Sequence, residues 1–294
     1  VFFYDFNHSH FPFYLHNASL ALADSQLLQT LIQMKGHQTQ RLQIFTVLCK
    51  FEDFCIKLKD IDRILHLLVS SLSDKQHVNS GVRLIAALSS HPTGCQILND
   101  NGVLELFTQL FLSSSCDDTV TTQTILRNVA KNGCDIPQVS LIVSCLMQDM
   151  MYDHSKKCEI MDTLVALVET VPGSVQEHDL QRIVMQQLNQ ENPLLILLSL
   201  RLFSVCDVNV LRNIYPQLLG AIHGLLNNPQ LLYPEIIKTS LVIVNNIAKQ
   251  YDLSDFLKKT ELIRFINEVI DLLPENDKRI EEFRTLSNSL LQKT

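Results

Sequence analysis

Residues 82–110 read VRLIAALSSHPTGCQILNDNGVLELFTQL and contain three apolar segments separated by two breaks. The first segment ends in Leu-Ser, a short turn with Pro92 follows, the second segment carries Gln-Ile-Leu, and Gly102 stands before the third. Apolar residues recur at helical spacing within each segment, and proline and glycine are common at the ends of helices. The stretch therefore predicts short helices that follow one another closely.

The same organisation extends along the chain from residue 24 onward. Leu65, Leu68, Val69 and Leu72 form a stripe at i, i+3, i+4 and i+7, and a second stripe follows a short Ser-Asp-Lys break. Such stripes are typical of amphipathic helices, and a short connection makes the two helices antiparallel neighbours. No segment has the alternating pattern of a strand, so an all-α fold is predicted.

The pair of helices recurs as a unit. New units open near Ile61, Gly102, Pro137, Asp179, Arg212 and Thr260. Their starts lie roughly 33 to 48 residues apart, which is typical of degenerate helical repeats. Because one helical hairpin cannot cover its own apolar face, neighbouring units must stack and share a core. We predict an α-solenoid of about six repeats over residues 18–294.

Residues 1–17 have a different composition from the rest. They are rich in Phe and Tyr, contain Pro12 and three His, and have no helical period. We predict an extended arm that lies over the first repeat and buries its aromatic side chains there. The alternative is a docking peptide for another molecule.

Residues 82–110 resemble an armadillo repeat, in which a glycine stands at the corner between the first and second of three helices. Gly102 occupies that position. Residues 125–131 and 242–249 look like the Leu-x-Asn-Leu-Ala close of the family's third helix. The resemblance to armadillo and HEAT repeats implies a right-handed superhelix, with a concave third-helix surface where an Asn holds the backbone of an extended peptide. Asn128 and Asn246 are the matching residues.

The sequence departs from the armadillo proteins that bind nuclear-import signals. Those proteins place Trp one turn before each Asn, whereas this chain has no Trp and carries Thr124 and Val242 at the two places. The closes near Ala87 and Ala166 have no Asn. A nuclear-import receptor is therefore not predicted.

Basic residues lie on or next to the predicted third helices. If they share one surface, they would attract an acidic or phosphorylated segment, because guanidinium groups pair with carboxylate and phosphate. The alternative is a solvated face, or pairing at i, i+4 within each helix. The residues are Arg83, Arg127, Lys131, Arg201, Lys238 and Lys249.

Composition restricts the partners and the location. The net charge of −7 disfavours a general nucleic-acid binder, which needs a basic surface. The longest apolar run, residues 194–206, is interrupted by Arg201 and is shorter than the about 20 residues of a membrane span. The eight cysteines are scattered in apolar contexts, as in reducing compartments, so we expect a cytoplasmic protein, with nuclear or cytoskeletal association as alternatives. The chain opens with Val1, which is compatible with a piece of a longer polypeptide.

The common local signatures of chemistry do not occur. There is no Cys-x-x-Cys pair, Gly-x-Ser-x-Gly elbow, Walker loop, dinucleotide fingerprint or His-Glu-x-x-His helix. We predict a protein that is not an enzyme and has no catalytic residue, cofactor or metal, although a site assembled from distant residues would escape such a search. Gly220 and Gly224 form a Gly-x-x-x-Gly pair, which predicts close packing between neighbouring repeats.

The leading hypothesis is a scaffold or regulatory domain that binds an extended segment of another protein along its third helices. One alternative is the regulatory or localising module of a larger protein such as a protein kinase. Another is a permanent structural subunit of a cytoskeletal or ciliary assembly, which would bury a larger surface.

Overall fold

The computed structural model describes residues 30–31, 33–34, 36–57, 61–152, 154–189, 191–231, 233–260, 263–264, 267–268 and 279–291. Within these ranges the regular structure is entirely helical. The chain divides into two compact units, Val1–Ile142 and Val143–Thr294. The predicted aromatic arm, and its boundary with the repeats at residues 17 and 18, lie outside the described residues.

The first unit contains seven described helices and the start of an eighth. They are α1 (Gln38–Leu48), α2 (Glu52–Lys57), α3 (Ile61–Leu72), α4 (Val78–Ser89), α5 (Pro92–Asp100), α6 (Val103–Leu112) and α7 (Thr119–Lys131), and α8 (Val139–Tyr152) crosses into the second unit. Helices α1, α4 and α7 pack side by side, α3 packs against α4 and α1, and α5 packs against α2. Two successive repeats, α2-α3-α4 and α5-α6-α7, therefore each have a first, a second and a third helix.

The predicted apolar stripes form the core of this unit. Leu65, Leu68 and Leu72 of α3 are buried, as are Val82 and Ile85 of α4. The adjacent third helices α1 and α7 contribute further buried residues, Phe45 among them. The hairpin that periodicity predicted at residues 61–89 is therefore confirmed.

Gly102 lies at the corner between α5 and α6, where the armadillo resemblance placed it. Its φ of +67° is in the left-handed region, which favours glycine. A Cβ atom added there would meet no other atom within 4 Å in the part of the chain that the structure describes. Glycine is required for the backbone conformation, and crowding plays no part.

We expect Gly102→Ala to lower the free energy of unfolding by about 1 kcal/mol, because an L side chain in the left-handed region is strained. Gly102→Asn should cost less, since Asn tolerates this region better than Ala. Urea-unfolding midpoints that decrease in the order Gly, Asn, Ala would support the left-handed conformation of residue 102. Equal midpoints for Ala and Asn would mean that the strain lies elsewhere.

The second unit contains the rest of α8 and eight further described helices. They are α9 (Lys157–Thr170), α10 (Glu177–Gln186), α11 (Pro193–Val205), α12 (Val208–Leu211), α13 (Tyr215–Leu226), α14 (Pro234–Ala248), α15 (Ser254–Thr260) and α16 (Arg279–Leu291). Helices α9, α11, α14 and α16 pack in succession, and we call them the third-helix row of this unit. Helix α10 packs against α13, and α13 against α14.

The two units differ in the first helix of each repeat. In the second unit it is reduced to α12, with 4 residues, and α15, with 7 residues. A bent connection of residues 171–176 joins α9 directly to α10. The second unit is therefore built mainly from pairs of helices, whereas the first is built from triplets.

Most of the predicted repeat starts are confirmed. Described helices begin at or within a few residues of Ile61, Gly102, Pro137, Asp179 and Arg212. Most of the helix predicted after Thr260 lies outside the described residues. The irregular spacing between repeats is explained by first helices of different lengths.

Candidate functional site

An open cleft lies between α11 and α14 in the third-helix row of the second unit. Its volume is about 390 Å³. Leu197 and Val242 supply apolar surface, and polar or charged side chains supply the rest. The lining residues are Leu197, Arg201 and Ser204 from α11, and Glu235, Lys238, Thr239 and Val242 from α14.

The residues at the start of α11 determine where the helix begins and therefore where its cleft-lining side chains lie. The carboxamide oxygen of Asn192 accepts hydrogen bonds from the backbone N–H groups of Leu194 and Leu195, at 3.1 and 3.3 Å, and so caps the first turn. Pro193 stands at the start of the helix, where its missing N–H costs nothing. Leu197 and Arg201, four residues apart, then share the outward face.

The α14 side is built in the same way. Pro234 begins the helix, and Lys238, Val242 and Asn246 follow at intervals of four residues, so they lie along one face. All three are partly exposed, whereas Leu241 between them is fully buried. The outward row of α14 therefore passes from a cation to an apolar side chain and then to an amide.

Two of the predicted cations of the second unit, Arg201 and Lys238, pair with acidic residues on neighbouring third helices. Arg201 Nη2 of α11 lies 3.8 Å from Glu169 Oε1 of α9. Lys238 Nζ of α14 lies 2.8 Å from Glu282 Oε1 of α16. All four side chains are about half exposed, and such pairs contribute roughly 0 to 1 kcal/mol. The pairing alternative is found here, but between helices and not at i, i+4.

A corresponding pair occurs in the first unit. Arg83 Nε of α4 lies 3.3 Å from Asp118 Oδ2, and Asp118 caps α7 by accepting from the N–H of Thr121. Burial alone would raise the pKa of Asp118, but the Thr121 hydrogen bonds and the Arg83 guanidinium outweigh it and lower the pKa. Arg83 is thus part of the contact between α4 and α7.

The two asparagines that match the armadillo motif use opposite ends of their amides. Asn128 Nδ2 donates to Ser89 Oγ of α4 at 3.2 Å, across the third helices of the first unit. Asn246 Oδ1 accepts at 3.2 Å from Nζ of Lys249, the residue that follows the last residue of α14. Both amides are partly exposed, and they belong to different units.

The remaining predicted residues lie on α7. Arg127 Nη2 donates to Thr124 Oγ1 at 3.4 Å, one turn earlier. Lys131 is exposed at the end of the helix, and Val120 is exposed near its start. This face of α7 carries an apolar side chain, a hydroxyl and two cations, which is similar in composition to the cleft of the second unit.

Sequence reasoning missed Asn245, the neighbour of Asn246. Its side chain is buried, and its Oδ1 accepts from Ser289 Oγ of α16 at 3.0 Å. The position of Asn246 in the motif favoured it as the residue that faces the groove. No local sequence signal indicates that Asn245 bonds to the next third helix. The acidic partners Glu169 and Glu282 were missed because they are far from their cations in the sequence.

The prediction for Gly220 and Gly224 is wrong. Among the residues that the structure describes, no atom would lie within 4 Å of a Cβ atom added at either residue of α13, so no described helix packs closely there. Both glycines line a second cleft, together with Leu188, Pro193 and Tyr233 among other residues. Their spacing alone did not show whether a neighbour approaches.

No metal cluster or membrane helix occurs among the residues that the structure describes. No group of three or more His, Cys, Asp or Glu there is placed to hold a metal ion. None of the described helices is long and apolar enough to cross a bilayer. All eight cysteines are free thiols.

No protein-family model matches the sequence, and no curated protein matches it. Among solved structures, the chain is similar to an engineered protein from the Northeast Structural Genomics Consortium, with 14% identity and a TM-score of 0.56 over 77% of this chain and 96% of that chain. This similarity concerns the fold alone. A designed armadillo repeat protein in complex with the peptide (KR)4 matches 95% of this chain and 98% of its own, at 15% identity and a TM-score of 0.35, which is too low to carry weight.

The helix arrangement defines the structural class. Stacked third helices and triplets of helices in the first unit are the features of armadillo repeats, and the helical pairs of the second unit are HEAT-like. Each unit is an all-α stack of this type. Within each unit, the predicted all-α fold of armadillo/HEAT-type helical repeats is confirmed.

Proposed function

We propose that this protein is a binding scaffold, and that the third-helix row of its second unit holds an extended segment of another protein. The observation that carries the proposal is the cleft between α11 and α14, which is open and partly apolar. Val242 of the cleft and Asn246 lie on the same outward row of α14, and Asn246 is one turn further along the helix.

An apolar side chain of the bound segment would enter the cleft against Leu197 and Val242. Both residues are partly exposed in the free protein, so covering them removes apolar surface from water at about 25 cal/mol per Å². Asn246 would hold the backbone of the segment, since its amide offers a donor and an acceptor together. Affinity would then accumulate along the row from several modest contacts.

The charges around the cleft favour an apolar anchor over a purely acidic segment. Arg201 and Lys238 already pair with Glu169 and Glu282, and a carboxylate on the partner would have to replace those contacts. An acidic residue beside the anchor would still be able to reach Arg201, which is half exposed. Of the predicted acidic segment, we therefore propose only an acidic residue that lies next to the apolar side chain of the partner.

The test uses peptides selected from a displayed random library on the whole chain, measured by fluorescence anisotropy. Val242→Glu should raise Kd at least about tenfold, because a carboxylate would have to lose water in the apolar part of the cleft. Asn246→Ala should raise Kd by less, in line with about 1 kcal/mol for one hydrogen-bonding group. Circular dichroism would establish that each variant is folded.

Met185→Glu is the matched control. Met185 lies on α10 of the same unit, is 65% exposed, and does not line the α11–α14 cleft. It should leave Kd unchanged. Peptides that bind Val242→Glu as tightly as the unmodified protein would place the site elsewhere. The same surface would serve an independent scaffold or a regulatory module of a larger protein.

A further inference from the structure

The second cleft of the second unit, which Gly220 and Gly224 line, is larger than the cleft between α11 and α14. Its volume is about 640 Å³, and we call it the glycine cleft. It is lined by the residues just after α10, the start of α11, α13, and the connection from α13 to α14. Both glycines are exposed, so the backbone of α13 is open to solvent along one side of the cleft.

A smaller cleft, of about 480 Å³, occurs at the equivalent place in the first unit, at the connections from α3 to α4 and from α6 to α7. Leu110 of α6 lines it, two residues before the end of its helix, and Gly224 has the same place in α13. In both helices the N–H after the last residue bonds to the carbonyls two and four residues before it, so Leu110 corresponds to Gly224 and Leu106 to Gly220. The second unit therefore has glycine where the first has leucine.

The two clefts also differ in charge. Lys75 and Asp117 line the cleft of the first unit, so it has one side chain of each sign. Among the described residues that line the glycine cleft, Glu191 alone is charged. Glu191 is exposed, and it makes no hydrogen bond or ion pair with the part of the chain that the structure describes. A cation on a partner would therefore gain this contact without displacing another one.

A hydrogen-bond acceptor and an aromatic ring line the same cleft as this carboxylate. Asn189 Nδ2 donates to the backbone oxygen of Met185 at 3.1 Å, which leaves Asn189 Oδ1 available as an acceptor. Tyr233 is 50% exposed, and the face of its ring attracts cations. Carboxylate, amide oxygen and aromatic ring are groups that a guanidinium binds.

We propose that the glycine cleft binds an arginine side chain of another protein. The guanidinium would pair with Glu191, donate to Asn189 Oδ1 and stack on Tyr233. Its methylene groups would lie along α13 between Gly220 and Gly224. Arginine is favoured over lysine, because its planar group donates in several directions at once and stacks on aromatic rings. The site is a second one, since it has no lining residue in common with the α11–α14 cleft.

The experiment compares two probe peptides on the whole chain by saturation-transfer NMR, which detects weak ligands. The first probe is acetyl-Gly-Ser-Gly-Arg-Gly-Ser-Gly-amide. The second has citrulline in place of arginine, and citrulline has nearly the same shape but no charge. The arginine peptide should bind with a Kd at least about tenfold lower, because its hydrogen bonds to Glu191 involve two charged groups.

Two variants test the residues of the site. Glu191→Gln should raise the Kd of the arginine peptide about tenfold and leave that of the citrulline peptide unchanged. Gly224→Leu introduces the residue that α6 carries at the corresponding position, so it should fill the cleft and remove binding. It should fold, because no atom of the described residues lies within 4 Å of a Cβ there and leucine favours helix.

Glu159→Gln is the matched control for Glu191→Gln. Glu159 is an exposed glutamate on α9 of the same unit and does not line the glycine cleft. Its substitution removes the same charge, so it should leave the Kd of the arginine peptide unchanged. An equal loss of binding in both variants would mean a general attraction to the acidic protein, and the proposal would be wrong.

Two further results would overturn the proposal. One is equal binding, or no binding, of the arginine and citrulline peptides to the unmodified protein. The other is unchanged binding of the arginine peptide to folded Glu191→Gln or Gly224→Leu, with folding checked by circular dichroism. The test of the α11–α14 cleft with Val242→Glu uses other residues and other peptides, so its outcome is independent of these results.

Discussion

Gly94→Ala is expected to lower the free energy of unfolding by about 3 kcal/mol, because the new methyl group would overlap backbone atoms. Gly94 lies in the first turn of α5, where a Cβ atom would collide with the backbone oxygen of Leu88 and come within 2.8 Å of its carbonyl carbon. It would also lie 2.6 Å from His91 Cε1. Relief would require α5 to move away from the end of α4. Urea unfolding followed by circular dichroism measures the loss.

Gly220→Ala is the matched control, since it makes the same chemical change inside another helix. No atom of the described residues lies within 4 Å of a Cβ at Gly220, so the alanine should stabilise α13 by about 0.5 to 1 kcal/mol through its higher helix propensity. The two substitutions should therefore shift the unfolding midpoint in opposite directions. A Gly94→Ala variant as stable as the unmodified protein would show that α4 and α5 do not approach so closely.

Phe203→Ala should lower the free energy of unfolding by about 3 to 5 kcal/mol, the usual cost of removing a large buried aromatic side chain. Phe203 lies on α11 and is 1% exposed. Helix α11 packs between α9 and α14 in the third-helix row. The cavity would thus weaken contacts on which the α11–α14 cleft depends, and urea unfolding of the variant should begin at a lower concentration.

Leu194→Ala provides the comparison on the same helix. Leu194 is 53% exposed, so its truncation should change stability by no more than about 0.5 kcal/mol. Phe203→Leu, which keeps much of the buried volume, should fall between the two. Equal losses for Leu194→Ala and Phe203→Ala would contradict the burial of α11 described above.

The helices and their order were predictable because their signals are local. The stripe at Leu65, Leu68 and Leu72 lies within one helix, and Gly102 is marked by the residues on both sides of it. Both signals depend only on residues within a few positions of the feature that they predict. The armadillo resemblance of residues 82–110 was sufficient for the class of fold.

The contacts between repeats were not predictable in the same way. Arg201 and Glu169 are 32 residues apart, and which cation meets which carboxylate depends on the register between α9 and α11. Register depends on the lengths of the intervening helices and turns, and these vary along the chain. The sequence therefore indicated cations on third helices but not the acidic groups beside them.

Two identical signals also had different outcomes. Asn128 and Asn246 occupy the same motif position, yet Asn128 bonds to the preceding third helix and Asn246 bonds to the lysine that follows its own helix. The difference arises from the neighbours, Ser89 in one case and Lys249 in the other. The cysteines were likewise interpreted one by one as small buried side chains, and the proximity of Cys49 and Cys55 to His91 became visible only in three dimensions.

The ends of α1 and α4, at Cys49 and Ser89, have a consequence for dividing this chain into modules. The carbonyl that ends each of these third helices takes its hydrogen bond from a side chain just past the end of the next third helix, His91 after α4 for α1 and Asn132 after α7 for α4. A fragment cut at the last residue of a third helix would lose that donor. Modules to be excised, duplicated or exchanged should therefore extend past the helix end, to the residue that supplies the bond.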